Sequence, residues 1–522
     1  MSTNLINCAM CLISYLCFMS SIRKLASQTV LYGFTYLAAR LLNFFLTPYY
    51  TRIFSREEYG SVIFIYAWIT FFNVLYTYGM ETGYFYFANK KDKYEEVAGT
   101  SFTSMLISSL FFSAVLIFAA PYLTNYLDAG VHSSYIIFAA AILFFDTISV
   151  IPFAHLRKEG KSFRFALLKF LNIAFNIGFN FFFLWFCPYV LSHDGFGTIQ
   201  AFIQAIYVPN FGVGYVFLSN LISSGIMLLF LIPELKKIPL LINMEVWREM
   251  FKYSWPILIL GFAGMINETL DRILLKWLLV APPQNMTMKE AMEQIGVYGA
   301  CYKLSIFMTL AIQSFRYAAE PFFFAQMKNG NNKDIYARML KYFTFVTSLI
   351  FLGVMLYIPI LIKIIGRDFR HAEAVVPILL IANLFLGIFV YLSQWYKQTE
   401  KTLYGAYLSL GGAGITLLVN FIFIPYYGYM ASAWATLICY FSMATASYFI
   451  GKKHYPVAYQ TGRILLYLGS SIGLYLLSIA VRRSFFTGWN INAYVFNSVL
   501  IISFIGLFVF LEKPSLVMKR SR

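Results

Sequence analysis

The stretch that decides the fold runs from Val375 to Tyr396 and reads VVPILLIANLFLGIFVYLSQWY. It contains no charged residue, and an α-helix of this length crosses the roughly 30 Å hydrocarbon core of a bilayer. A membrane-spanning β-strand needs only about ten residues with strict alternation of apolar and polar side chains, a pattern that is absent here. The stretch therefore predicts a transmembrane helix.

The rest of the chain repeats this pattern. Of its 522 residues, 60% are apolar and only 12% are charged, with a mean hydropathy of +0.68. Ordinary soluble domains carry about 25% charged residues, so this chain lacks the charge to cover a water-soluble surface. In lipid the backbone must form its hydrogen bonds internally, which favours helices. We predict an all-α polytopic membrane protein of about fourteen transmembrane helices. The other spans are predicted at 27–50, 59–79, 98–119, 133–153, 165–187, 212–233, 254–280, 295–316, 342–365, 404–425, 429–450, 464–481 and 491–511.

Lys and Arg are concentrated in alternate connections, which predicts the orientation because positive charge accumulates in cytoplasmic loops. With the amino terminus inside, most of them fall in the predicted inner connections and few in the outer ones. We expect a multi-pass protein of the cytoplasmic (inner) membrane with both termini cytoplasmic. Orientation explains much of the net charge of +17, so nucleic acid is not expected as a partner. The charged inner segments are 90–93, 157–164, 236–252, 328–341, 397–401, 452–463 and 513–522.

The first 18 residues form an apolar extension, 1–18, that either resembles a signal peptide or results from an upstream start site. It lacks a basic leading segment and a clear cleavage site, so we favour Met19 as the start, with Met1 as the alternative. Of the six cysteines only Cys8 and Cys11 have CxxC spacing, and no histidine cluster accompanies them. No metal site is predicted.

A short pattern recurs along the chain and suggests internal duplication. It predicts two pseudo-repeated six-helix bundles around a central cavity, a common transporter plan. The predicted divisions are 19–234, 235–451, and 452–522 for two additional helices and a basic tail. The recurring segments are Arg40–Asn43 with Glu58–Gly60, and Gly264–Asn267 with Val297–Gly299.

Several charged residues lie within the predicted spans. A charge at mid-bilayer costs about 2.5–3.5 kcal/mol on insertion scales, so such a residue is expected to face a partner or a wet cavity. Candidates for ion coupling or internal pairing are Glu81, Asp146, Glu268, Asp271, Arg316 and Glu320, and the deep cations are Arg40, Arg272, Lys276 and Lys303.

Arg40 has no acid in its own span, and an unpaired guanidinium in a cavity suits a diphosphate, which it can bind through two parallel hydrogen bonds. Glu268, Arg272 and Lys276 follow i, i+4, i+8 spacing. This stripe either lines a water-filled path or holds helices together through a Glu268–Arg272 ion pair. Arg316 and Glu320 are four residues apart near the interface, where mutual pairing or snorkelling is favoured over function.

Asn172, Asn176 and Asn180 form a ladder of amides along one helix face. Such amides could bind sugar hydroxyls in a cavity or hold neighbouring helices together, and the sequence leaves both readings open.

Three segments, Leu46–Gly60, Tyr78–Phe87 and Gln313–Phe324, carry a family resemblance. In this order they resemble the polysaccharide-export branch (O-antigen and capsule flippases) of the multidrug/oligosaccharidyl-lipid/polysaccharide flippase superfamily, over about residues 19–511. The resemblance implies a V-shaped cavity between two bundles and alternating access. It also implies an undecaprenyl-diphosphate-linked oligosaccharide repeat unit as substrate. Relatives carry basic residues inside that cavity, and the matching candidates in this chain are Arg40, Arg272, Lys276 and Lys303.

The function implied by this resemblance is a flippase for the synthesis of O-antigen, capsule or exopolysaccharide, a transporter rather than an enzyme. No cofactor is expected, and the energy is expected to come from a proton or sodium gradient through Glu268, Asp271 or Glu81. Membrane lipid, a polysaccharide polymerase and glycosyltransferases are the other implied partners.

Three alternatives remain. A cation-coupled multidrug antiporter of the same superfamily would be expected to present acids to its cargo, whereas the first span offers Arg40 and no carboxylate. A peptidoglycan-precursor flippase would handle a similar head group. A membrane saccharide polymerase would need a catalytic outer loop, but the longest predicted one, 188–211, holds only His193 and Asp194 as candidates.

Overall fold

The computed structural model describes residues 37–38, 40–90, 94–127, 130–193, 195–316, 333–399, 401, 403–485 and 491–517. Within these ranges the chain is almost entirely helical and contains no β-strand, which confirms the all-α prediction. The long helices, numbered here in chain order, are α1 (40–53), α2 (Arg56–Thr77), α3 (Tyr94–Leu127), α4 (Ser133–Lys158), α5 (Ser162–Phe181), α6 (Gly214–Phe230), α7 (Met244–Val280), α8 (Met288–Tyr302), α9 (Lys333–Leu356), α10 (Val375–Leu392), α11 (Leu403–Tyr427), α12 (Tyr429–His454), α13 (Thr461–Phe485) and α14 (Ile491–Val517).

Three of these helices continue beyond a local irregularity. After α2, a turn at Tyr78 leads into the helix Met80–Lys90. After α5, a π-helical turn at Phe182–Phe186 leads into Cys187–Ser192. After α8, the chain passes through a 3-10 turn and continues as a helix at 306–316.

Eleven helices in the described ranges are long and apolar enough to cross a membrane. The other three predicted spans are not among these eleven, each for a different reason. The span at 27–50 is described only in part, α6 has just 17 residues, and α7 carries four charged residues, Glu268, Asp271, Arg272 and Lys276, that lower its hydropathy. A total of fourteen therefore stays a prediction.

The helices pack as two sets. In the first half of the chain α3 packs on α4, while α6 packs on α4 and α5. In the second half α7 packs on α11, and α12 packs on α10 and α11. The two halves meet through α2, which runs along both α7 and α8.

The helices α2 and α8 begin in the same way. Ser55 accepts a hydrogen bond from the backbone N–H of Glu58, whose carboxylate accepts one from the N–H of Ser55. Thr287 and Glu290 repeat this capping box at the start of α8. Each box satisfies two backbone donors at a helix start, so it fixes where the helix begins. The two boxes pair Glu58 with Glu290, whereas the predicted repeat pairs Glu58 with Val297, so the internal duplication stays a prediction.

The backbones of α2 and α8 touch near these starts. A Cβ atom added to Gly60 would lie 2.0 Å from the carbonyl oxygen of Met292, and one added to Gly296 would lie 2.2 Å from that of Arg56. Only glycine permits so close an approach. The two halves are therefore in backbone contact at the face that the charge pattern predicts to be outer.

A buried ion cluster attaches the last two helices to the second half. The carboxylate of Glu512 in α14 lies 2.6 Å from the ammonium of Lys341 in α9 and 2.7 Å from the guanidinium of Arg463 in α13. Tyr467 also donates a hydrogen bond to Glu512. Because a buried charge needs partners, this cluster fixes α13 and α14 against α9.

Candidate functional site

A cavity of about 240 Å³ between α1 and α8 is cationic. Arg40 lines it from α1 and Lys303 from the 3-10 turn that follows α8, and Asn43 and Tyr302 add polar groups. Over the described part of the chain, no Asp or Glu lines this cavity and neither Arg40 nor Lys303 forms an ion pair. We call it the cationic end.

Arg272 lies directly behind this cavity. The central carbon of its guanidinium is 4.3 Å from the ring centroid of Tyr302, and its side chain donates a 2.8 Å hydrogen bond to the backbone oxygen of Glu268. It also lies 3.7 Å from the carboxylate of Asp271, which accepts a 2.7 Å hydrogen bond from the Tyr298 hydroxyl. A third cation is thus separated from the cationic end by one aromatic ring.

A second cavity, of about 400 Å³, shares Asn43 and Lys303 with the cationic end. Asn172, Asn176 and Asn220 line it together with tyrosine side chains. We call it the amide middle. Its donors and acceptors are of the kind that bind hydroxyl groups.

The three asparagines of the amide ladder do not share one role: two line a cavity, and the third connects two helices. Asn172 and Asn176 face the amide middle, whereas Asn180 is fully buried. Asn180 accepts a 2.8 Å hydrogen bond from the Tyr50 hydroxyl of α1 and donates a 2.9 Å bond to Asn176. It therefore holds α5 to α1.

A third cavity, of about 360 Å³, shares Asn172, Ile173 and Asn220 with the amide middle. It adds Asp146 from α4 and Lys169 from α5, so we call it the mixed-charge end. The three cavities adjoin through their shared walls, and together they form what we call the chamber.

Lys276 does not line the chamber, so the predicted polar stripe along α7 is wrong at this residue. Lys276 is fully buried, its ammonium donates to the backbone oxygen of Leu127 at the end of α3, and it lies 4.4 Å from the Trp277 ring centroid. The helix has about 3.6 residues per turn, so a residue eight positions on is rotated by about 80°. Glu268 is exposed, whereas Arg272 and Lys276 turn into the packing.

The remaining candidates lie elsewhere. Glu81 is paired with Arg157 at the end of α4. The predicted alternative of an ion pair between Glu268 and Arg272 is not observed. Arg272 pairs with the carboxylate of Asp271 instead. Arg316 is exposed at the end of the last helix turn before the gap, and Glu320 lies outside the described residues, so their mutual pairing stays a prediction.

Three further residues line the chamber but were not predicted from the sequence: Asn73, Lys169 and Asn220. Lys169 had a usable signal, since it is a cation within the apolar span 165–187, as Arg40 is in its own span. Asn73 and Asn220 had no such signal in the sequence, because isolated amides are common in transmembrane helices.

Comparisons with known proteins agree with this architecture. A family model described as "polysaccharide biosynthesis protein" matches residues 25–327. No curated protein matches the chain by sequence. Among solved structures, the lipid II flippase MurJ in an inward closed conformation is similar with a TM-score of 0.68 and 14% identity, over 92% of this chain and 99% of that one.

Multidrug resistance MATE transporters of the MOP superfamily are also similar. The inward-facing conformation gives a TM-score of 0.59 at 14% identity, over 80% of this chain and 93% of that one. The outward-facing conformation gives 0.53 at 15% identity, over 83% and 94%. These relatives are flippases and transporters rather than enzymes. The chain therefore belongs to the polysaccharide biosynthesis protein family.

Proposed function

We propose that the protein moves an oligosaccharide linked to undecaprenyl diphosphate, or a similar polyprenyl diphosphate, across the cytoplasmic membrane for O-antigen, capsule or exopolysaccharide synthesis. One observation carries the proposal: the chamber has a cationic end without a carboxylate among its described lining residues, and this end adjoins a wall of amides. The cationic end suits a diphosphate, and the wall of amides suits sugar hydroxyls.

The chemistry of the cargo matches this division. Arg40 can form two parallel charge-assisted hydrogen bonds with a phosphate group, and Lys303 adds a compact positive charge. The polyprenyl tail is apolar and can stay in the roughly 30 Å hydrocarbon layer while the polar head group crosses inside the chamber. The protein then has to shield only the head group.

The contacts at the predicted outer face support alternating access. Besides the backbone contact at Gly60 and Gly296, the N–H of Gly366 donates a 2.9 Å hydrogen bond to Thr51, and Arg56 lies 3.7 Å from Glu293. These contacts close the chamber on that side. We infer a state that takes up cargo from the cytoplasmic side, and that passes to a second state when these contacts separate.

The cationic end argues against a multidrug antiporter, because Arg40 and Lys303 would repel a cationic drug. A peptidoglycan-precursor flippase is harder to separate from the proposal, because its substrate carries the same diphosphate. The identity of the lipid that depends on the protein distinguishes these functions.

The test is deletion of the gene in its native host, followed by extraction and mass spectrometry of the membrane lipids. We expect complete oligosaccharide repeat units on polyprenyl diphosphate to accumulate while surface polysaccharide disappears. Accumulation of the peptidoglycan precursor instead would favour the second flippase. Altered drug susceptibility with no lipid accumulation would favour the antiporter.

We propose that an ion gradient drives the cycle through Glu268. Among the three acids considered, Glu81 is paired with Arg157 and Asp271 is bound by Tyr298, whereas Glu268 is exposed and its carboxylate forms no ion pair within the described residues. An acid at such a site can gain and lose a cation as its surroundings change.

In vesicles carrying the purified protein, the rate of head-group translocation is expected to rise when a proton or sodium gradient is imposed. Glu268→Gln should lose this response, because the amide cannot be protonated or attract the ion as a carboxylate does. Glu245→Gln, at an exposed position near the start of α7, is the matched control and should keep it. Wild-type translocation that ignored both gradients would refute the coupling.

A further inference from the structure

The mixed-charge end holds an acid and a base that line the same cavity without pairing. Asp146 lies near the middle of α4, and Lys169 lies about 10 Å along α5 from its start. The structure places no ion pair between these two described residues. The two groups interact electrostatically across the cavity but lie too far apart for an ion pair, which leaves room for a ligand or water between them.

Each charged group has one local contact and keeps bonding capacity. Ser224 donates a 2.8 Å hydrogen bond to one oxygen of Asp146, which leaves the other oxygen as an acceptor. The ammonium of Lys169 lies 4.0 Å from the ring centroid of Phe153, and all three of its N–H groups can still donate.

The amides beside them are also only partly used. Asn220 donates a 3.1 Å hydrogen bond to the Tyr66 hydroxyl, so its carbonyl oxygen remains as an acceptor. The carbonyl oxygen of Asn172 accepts a 3.1 Å bond from Ser223, so its amide nitrogen remains as a donor. The cavity thus offers both donors and acceptors on neighbouring walls.

The charges restrict the class of ligand. A cation would be repelled by Lys169 and an anion by Asp146, whereas a neutral group with many hydroxyls can donate to the carboxylate and accept from the ammonium. Asn172 and Asn220 are shared with the amide middle, which in turn reaches the cationic end. A cargo bound by its diphosphate at Arg40 can therefore extend toward Asp146.

We propose that the mixed-charge end is a saccharide subsite, in which Asp146 and Lys169 bind hydroxyl groups of a sugar ring remote from the diphosphate. This inference rests on the proposed function and deepens it, because it assigns the two parts of the cargo to opposite ends of the chamber. The end at Asp146 and Lys169 then selects the oligosaccharide, and the cationic end holds any polyprenyl diphosphate.

The test compares two probes on the purified full-length protein, in a detergent without a sugar head group. Farnesyl diphosphate carries the diphosphate and a prenyl tail but no sugar, and the second probe is the lipid-linked oligosaccharide extracted from the deletion strain. Asp146→Asn and Lys169→Met are each expected to weaken binding of the oligosaccharide lipid about tenfold. Their affinity for farnesyl diphosphate should stay within about twofold of wild type, because these residues do not touch the diphosphate.

Lys303→Met is the comparison variant at the cationic end and should weaken binding of both probes. Lys236→Met, exposed in a connection, is the matched control and should change neither. Retained binding of farnesyl diphosphate shows that a variant is folded. If Asp146→Asn and Lys169→Met bind both probes as wild type does, or weaken both equally, the subsite is refuted. If wild type binds neither probe, the proposed function itself fails.

Discussion

Replacing Arg40 with alanine is expected to reduce export of the lipid-linked oligosaccharide about 10- to 100-fold, the loss that one strong charge-assisted contact carries. Arg40 lines the cationic end and forms no ion pair within the described residues, so its charge is available to the cargo. The measurement is complementation of the deletion strain, with surface polymer and accumulated lipid-linked repeat units quantified together.

Two variants make this result specific. Arg40→Lys keeps the charge but loses the planar pair of donors, so partial rescue is expected. Arg52→Ala changes an exposed arginine of the same helix whose side chain donates to the backbone oxygen of Pro48, outside the chamber, and full rescue is expected. Complete rescue by Arg40→Ala would remove the cationic end from the mechanism.

Adding a single methyl group at Gly60 is expected to open the chamber at the predicted outer face. The new Cβ would lie 2.0 Å from the carbonyl oxygen of Met292, so α2 and α8 must move apart. Overpacking of this kind costs about 1–3 kcal/mol, enough to shift a two-state equilibrium roughly 5- to 150-fold. Gly60→Ala should therefore populate the outward-open state.

Labelling from outside the cell measures this shift. Thr70 is exposed in the amide middle, so Thr70→Cys in a background without other cysteines reports access to the chamber. A membrane-impermeant maleimide should label it strongly only when Gly60→Ala is also present. Gly178→Ala is the matched control, since nothing apart from the backbone of its own helix lies within 4 Å of the added Cβ, and it should leave labelling unchanged. Equal labelling with and without Gly60→Ala would contradict the role of this contact.

The membrane spans could be predicted from the sequence because each one is a local signal. A run such as 375–396 is apolar over its whole length, and the helix α10 begins within it at Val375. The start of α2 is equally local, since Ser55 and Glu58 lie three residues apart. The span at 254–280 was also predicted, although the charged residues of α7 lower its hydropathy.

The site was predictable only where a residue type was conspicuous by itself. Arg40 and Lys303 stood out as cations in apolar spans, and both line the cationic end. The prediction for Lys276 was wrong because residues at fourfold spacing do not stay on one face of the helix, and the rotation between them adds up along the chain. The buried pair of Lys341 and Glu512 could not be foreseen, because 171 residues separate them and no local pattern relates α9 to α14.

On the proposed function, we expect membrane voltage to act differently on the empty and the loaded protein. Arg40 and Lys303 place two positive charges at the cationic end, and the diphosphate of the proposed cargo would neutralise them. An elementary charge that crosses 100 mV gains or loses about 2.3 kcal/mol, and a charge that crosses part of the field gains or loses a fraction of that. With a negative cytoplasm, the voltage pulls the unloaded cations back toward the inner face and exerts little force on the loaded chamber. On the proposed function, we therefore expect the electrical potential to reset the empty carrier while the cargo crosses without opposing it.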